Sequence, residues 1–289
     1  MKYETLWRRL SGIYDTGEAK AIVRWLLDVR FGLSLTDIVC GKADELSEAD
    51  LSELERMMQQ LEQAEPVQYV VGRAEFCGRM FHVEPGVLIP RPETAELCQW
   101  IGRDIKETSI GSHTILDIGT GSGCIAITLA LELKETKVTA WDVSEKALAI
   151  AQKNAEALGA DVNFEQRDIL SLSHDSLTLH TPALDLIVSN PPYVCQKEQA
   201  SMDRHVLEYE PSLALFVPDN EPLKFYQAIA AYANQALKSN GWLYFELNPL
   251  YARDTEDMLQ GMGFTETHIK QDLFGKQRFL KAKKRGKKK

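Results

Sequence analysis

The strongest constraint on this chain is the passage from Ile115-Leu116-Asp117-Ile118 through Gly119-Thr120-Gly121-Ser122-Gly123 into the helical run from Cys124 to Leu133. A β-branched apolar strand that enters a helix through a glycine-dense turn is the opening unit of a βαβ fold. Glycine is needed there because the backbone must pass against a ligand where a Cβ would collide. Further strands follow at Lys137 to Asp142, Val162 to Phe164, Leu184 to Ser189 and Trp242 to Leu247, with helix-length segments between them. This alternation predicts an α/β class, a doubly wound and largely parallel sheet. Ligands in such sheets bind at the carboxyl ends of the strands, so the chemistry is expected there.

The residues before this sheet read differently. Ile22, Trp25, Leu26 and Val29 fall on one helical face, with Gly32 placed to end the helix. Leu51, Leu54, Met58 and Leu61 form a second stripe behind the Ser47 and Asp50 capping pattern. A small helical domain is expected over 1–70. From Arg73 to Pro90 the alternation of Phe76, Met80, Phe81, Val83, Val87 and Ile89 around Gly78 predicts a β-hairpin linker, placed at 71–90. The catalytic domain is then assigned to 91–282, and 283–289 to a basic, disordered tail whose like charges have nothing to bury.

Composition narrows the function classes. A net charge of −9 argues against a protein that wraps bare nucleic acid, so direct nucleic-acid binding is not expected. The five cysteines show no zinc or redox spacing, no metal site is expected, and reduced thiols point to a cytoplasmic setting. No run approaches the roughly 18 apolar residues of a membrane span.

The glycine turn is spaced two and two, unlike the dinucleotide fingerprint, and Asp117 precedes it inside the strand. A carboxylate there suits a cationic amino-acid ligand better than a pyrophosphate. Asp142 ends the next strand, where it can accept from both ribose hydroxyls. Asp168 can accept from an adenine amino group while Ile169 packs on the ring. These residues, with Gly119, Thr120, Gly121, Ser122 and Gly123, make up a nucleoside signature without a phosphate signature.

The fourth strand delivers Asn190-Pro191-Pro192-Tyr193 to the same edge. Two prolines fix their φ angles and donate no hydrogen bonds, so the Pro191 carbonyl becomes a rigid acceptor. An amide or aromatic amine is a poor nucleophile because its lone pair is delocalised. Accepting its N–H bonds with the Asn190 side-chain oxygen and the Pro191 carbonyl aims the nitrogen, and Tyr193 can pack on the planar group. Asn190, Pro191 and Tyr193 are therefore the candidate catalytic residues, with Pro192 added for substrate binding. Bases and amides remain equally open as acceptors at this point.

Asp117 to Gly123 together with Asn190 to Tyr193 resemble a Class I, Rossmann-like S-adenosylmethionine-dependent methyltransferase. Gly72 to Val83, the run Val87-Leu88-Ile89-Pro90-Arg91-Pro92-Glu93-Thr94 and Lys270 to Arg278 resemble the release factor glutamine methyltransferases, the HemK or PrmC family. The resemblance implies N5-methylation of the glutamine in the Gly-Gly-Gln motif of class I peptide chain release factors, modulating translation termination. It implies S-adenosylhomocysteine as coproduct and a docking role for the N-terminal domain; methyl transfer as an in-line displacement at a sulfonium requires no metal, and a monomer is expected. It carries cofactor contacts onto Gly119 to Gly123, Asp142, Ile169 and Asn190. Two departures stand out: Ile169 replaces a frequent aromatic, and Glu246-Leu247-Asn248-Pro249 replaces a Glu-x-Gly type turn, so Asn248 receives no role. Arg91 and Glu93 fit a structural hinge as well as a ligand contact. The alternatives are a nucleic-acid exocyclic amine methyltransferase and a non-catalytic cofactor-binding assembly protein.

Overall fold

In the computed structural model, residues 2–108, 113–172 and 183–286 are described. They fall into two compact units, one of Met1–Arg73, Val83–Pro85 and Met202–Glu210, the other of Ala74–His82, Gly86–Ser201 and Pro211–Lys289.

The first unit is helical. Its helix Thr16–Phe31 starts where the Asp15 carboxylate accepts from the Glu18 amide at 2.9 Å and ends at Gly32 in the left-handed region, φ 68°. The buried face is Ala19, Val23, Leu26 and Leu27, so of the stripe Ile22, Trp25, Leu26 and Val29 only Leu26 is fully buried and the face is rotated by about one position. Short Ala19 let that face pass unread, because it adds little to an apolar pattern. Helix Glu48–Glu62 is capped by the Ser47 hydroxyl, which accepts from the Asp50 amide at 3.1 Å, and buries Leu54, Met57, Met58 and Leu61. Arg9 joins this helix through Glu55 at 2.7 Å and Glu62 at 2.6 Å. The helix Arg204–Tyr209 belongs to this unit as well, with the Tyr209 hydroxyl donating to the Gln63 carbonyl at 2.8 Å.

The second unit opens with the expected hairpin. Strands β1 (Arg73–Phe76) and β2 (Arg79–His82) are joined through Cys77 at φ 49° and Gly78 at φ 71°, the two positive angles that a tight hairpin turn requires. Phe76 and Phe81 meet edge to face at 5.9 Å within the core of this unit, so the hairpin is part of the unit's packing.

The remaining strands are β3 (His113–Ile118), β4 (Thr136–Asp142), β5 (Val162–Gln166), β6 (Leu184–Ser189), the two-residue pair β7 (Val194–Cys195) and β8 (Phe216–Val217), then β9 (Leu237–Glu246), β10 (Phe264–Gln271) and β11 (Gln277–Lys284). Seven of them form one sheet in the order β10-β11-β9-β6-β3-β4-β5. β5, β4, β3, β6 and β9 run parallel, and β11 is antiparallel to both of its neighbours. Period-two alternation feeds two cores. Ile115, Leu186 and Val188 face one layer with helices Pro92–Thr108 and Cys124–Glu132, whereas Leu116, Ile187, Leu243 and Phe245 face the other with helices Lys224–Ala236 and Ala252–Gly261. Burial on both faces is why these strands read as continuous apolar runs.

The tail expectation needs correction at its start. β11 continues to Lys284, and buried Ala282 alternates with Lys281 and Lys283, which pair with Asp104 at 2.6 Å and Glu266 at 2.9 Å. Residues 287–289 lie outside the described residues. No helix among the described residues is long and apolar enough to cross a membrane.

Candidate active site

The chain crosses from β3 to β4 and β5 on one side and returns to β6 on the other, which leaves a switch point between β3 and β6. At the carboxyl ends of these strands opens a cavity of about 290 Å³. Gly119, Thr120, Gly121, Ser122, Asp142, Asp168, Ile169, Asn190, Pro191 and Pro192 all line it, so residues far apart in sequence converge as expected. Asp117, Gly123 and Tyr193 are not among its lining residues.

The three glycines divide their work. Gly119 and Gly121 have φ of 75° and 56°, and a Cβ on either would meet no protein atom within 4 Å, in the space bordering the cavity. Gly123, φ 83°, faces inward, and a Cβ there would stand 2.8 Å from Ile127 Cδ1 and 3.1 Å from Ala151 Cβ. Gly123→Ala is therefore expected to cost about 1–3 kcal/mol of stability through collision and backbone strain. Gly119→Ala should instead weaken binding of S-adenosylhomocysteine more than it lowers stability. Urea unfolding and titration calorimetry on both variants check this, and the reverse ranking would refute the division.

Asp142 is held as an acceptor at the end of β4. One carboxylate oxygen accepts from the Gly121 amide at 2.9 Å and the other from the Ser144 amide at 2.9 Å. Burial raises its carboxyl above the usual range, while these amides work against that rise. The carboxylate, fixed at the cavity wall, keeps acceptor capacity beyond these amides, which suits a ribose diol. Asp168 accepts from the Leu170 amide at 2.9 Å, and Ile169 adds an apolar wall.

Asp117 is fully buried and takes the Thr120 hydroxyl at 2.7 Å. Its Oδ1 makes no full hydrogen bond among the described residues, and the Ala126 amide favours the charged carboxyl against the effect of burial. Burial pushes this carboxyl up to about 7. The bare glycine backbone, the fixed acceptor Asp142 and the apolar wall of Ile169 fit a nucleoside such as that of S-adenosylmethionine.

Three residues were not foreseen from sequence. Asn154, buried in helix Glu145–Leu158, donates to the Ser122 carbonyl at 2.9 Å and to the His82 carbonyl at 3.0 Å, and accepts from the His82 amide at 2.7 Å. It thereby ties the glycine turn to the hairpin. Glu246, buried at the end of β9, accepts from Thr94 at 2.6 Å and from the Tyr193 hydroxyl at 3.1 Å. Its signal was a lone charge at the end of the apolar run Trp242 to Phe245. Asn248 caps the following turn through the Leu250 amide at 3.0 Å and donates to the Tyr193 carbonyl at 3.0 Å. The segment after Asn190 is thus braced at Tyr193 from both its hydroxyl and its carbonyl.

A doubly wound sheet with a glycine cradle, a diol acceptor and an Asn-Pro-Pro segment on one cavity defines a Class I methyltransferase. Residues 103–208 match the methyltransferase small domain and residues 7–72 the PrmC N-terminal domain. A release factor glutamine methyltransferase of Bacteroides thetaiotaomicron is 46% identical over 94% of this chain and 95% of its own, and one of Flavobacterium psychrophilum is 41% identical over 94% of each. The chain belongs to the release factor glutamine methyltransferase family. Among solved structures, the 16S rRNA N2 G1207 methyltransferase of T. thermophilus, in complex with AdoMet and guanosine, aligns with a TM-score of 0.51 at 20% identity, covering 74% of this chain and 50% of that one. That likeness is one of fold.

Proposed function

We propose that this protein transfers a methyl group from S-adenosylmethionine to the side-chain amide nitrogen, N5, of the glutamine in the Gly-Gly-Gln motif of class I peptide chain release factors, leaving S-adenosylhomocysteine. The observation that carries this reading is the relation to release factor glutamine methyltransferases over 94% of the chain, N-terminal region included.

When bound, S-adenosylmethionine supplies an electrophilic methyl group on a sulfonium. Gly119 and Gly121 admit it against bare backbone, Asp142 accepts its ribose hydroxyls and Asp168 with Ile169 borders its base. The Asn190 oxygen and the Pro191 carbonyl accept the N–H bonds of the glutamine amide. Both acceptors favour the positive charge that builds on nitrogen as its lone pair forms the new bond to the methyl carbon, and the methylated nitrogen then releases one N–H proton to solvent to become the neutral N5-methylamide. Pro192 and Tyr193 hold the turn that presents them. The N-terminal helical domain docks the release factor, and the enzyme acts as a monomer in the cytoplasm beside the translation machinery.

Labelled S-adenosylmethionine, offered with a release factor, its Gln→Ala variant, a short Gly-Gly-Gln peptide and ribosomal nucleic acid, tests this. Label is expected on the whole factor only at the glutamine, with a lower kcat/KM on the peptide. Label on nucleic acid, or undiminished label on the Gln→Ala factor, would falsify the acceptor assignment. Equal kcat/KM on peptide and factor would refute docking.

A further inference from the structure

Asn190 can serve an acceptor nitrogen only with its oxygen, yet a primary amide turned by 180° presents an NH₂ group of nearly the same shape. What selects one orientation is a chain of hydrogen bonds behind it. Asn190 Nδ2 lies 3.2 Å from Thr94 Oγ1, and Thr94 Oγ1 lies 2.6 Å from Glu246 Oε2. Thr94 and Glu246 are 3% and 2% exposed, so no bulk water competes for these bonds.

The protons can be counted. The Tyr193 hydroxyl donates to Oε1 of Glu246 and the Thr94 hydroxyl to Oε2; burial raises this carboxyl, and these two donors, with Arg278, work against that rise. Glu246 is then an acceptor at both oxygens. The single hydroxyl proton of Thr94 is committed to Oε2, which leaves Thr94 Oγ1 toward Asn190 as an acceptor only. An acceptor there can pair with the Asn190 NH₂ and would repel its oxygen.

We propose that Thr94 and Glu246 are positioning residues which lock the Asn190 amide with Nδ2 against Thr94, so that Oδ1 is the atom offered to the acceptor nitrogen. The inference rests on the reading of Asn190 as the acceptor-nitrogen ligand. It assigns a task to Thr94 at the cavity wall and to Glu246, which is not among the lining residues. It also gives a reason for a threonine at the start of helix Pro92–Thr108 and a glutamate at the end of β9 to meet across 152 positions of sequence.

The test uses Thr94→Val, Thr94→Ser and Glu246→Gln in the full chain. Thr94→Val keeps the shape and removes the relay, so kcat should fall about 10- to 100-fold, the range for a displaced transition-state hydrogen bond, with KM for the protein substrate changed less than about threefold. Thr94→Ser restores the hydroxyl and should return kcat to within about threefold of wild type. In Glu246→Gln an amide can donate to Thr94 Oγ1, which frees the hydroxyl proton to hold Asn190 Oδ1, so a loss like that of Thr94→Val is expected.

Affinity for S-adenosylhomocysteine, read by calorimetry, should stay unchanged in all three, and melting curves show that each is folded. Should Thr94→Val fail to fold, Glu246→Gln carries the test. Full kcat in Thr94→Val or in folded Glu246→Gln, failure of Thr94→Ser to rescue, or a parallel loss of S-adenosylhomocysteine affinity would overturn the proposal. The wild-type rate on release factor tests the acceptor assignment separately. The variant-to-wild-type ratio can be read on whichever amino acceptor the wild type methylates.

Discussion

Asn190→Ala is expected to lower kcat by about 10²- to 10³-fold, the effect of removing one preorganised group aimed at developing charge. The variant keeps the glycine cradle and Asp142, so its affinity for S-adenosylhomocysteine should change by less than about threefold. Stability should barely move. Among the described residues Asn190 makes one side-chain hydrogen bond, of 3.2 Å, at the cavity wall, and losing a bond of that kind costs about 0.5–1.5 kcal/mol. Single-turnover kinetics with saturating cofactor, together with a melting curve, separate the chemical step from binding and folding. Retained single-turnover activity would remove Asn190 from the mechanism. If S-adenosylhomocysteine affinity fell as far as the rate, Asn190 would be a cofactor residue first.

Much of the catalytic unit was legible in the sequence because local and global signals agree there. Strands such as Ile115 to Ile118 and Leu184 to Ser189 are buried on both faces and appear as apolar runs, and the glycine turn interrupts them where backbone must stay bare. What escaped depends on partners distant in the chain. The last two residues of β11, Lys283 and Lys284, fell in the stretch expected as a solvated tail because Glu266, which pairs with Lys283, lies 17 positions away and Trp242, whose ring lies under Lys283, is unmarked locally.

The site shows the same limit. Residue type and spacing brought Asp142, Ile169 and Asn190 to one cavity, since each lies at or just after the carboxyl end of a strand. They did not separate Gly123, which packs against Ile127 and Ala151, from Gly119 and Gly121, which border the cavity, because that distinction is set by what lies opposite each Cα. Nor did they reveal Glu246 and Thr94, whose meaning arises from the pairing itself.

The buried Asp117 carboxyl gives the second large effect, on stability. Its ordinary value is 3.8, and burial raises it to about 7 in the folded protein. Between those values the native state binds a proton that the unfolded chain has released. Stability from this group is therefore fully present below about pH 4 and declines as pH rises to about 7, at about 1.4 kcal/mol per unit, or at most about 4 kcal/mol in total. Asp142 and Glu246 are raised too, so the catalytic unit should lose stability with the same sign in the same direction. Asp117→Asn keeps the Thr120 contact without a charge, and its unfolding free energy should have a smaller slope over that window. The difference between the wild-type and variant slopes isolates Asp117, measured by urea unfolding of ligand-free protein from pH 4 to pH 8. Equal slopes would show that this carboxyl ionises as easily in the folded state as in the unfolded one. Saturating S-adenosylhomocysteine adds a second reading. If its cationic amino group lies close to Asp117, it favours the charged carboxylate, and the wild-type slope should flatten with ligand while the Asp117→Asn slope does not change.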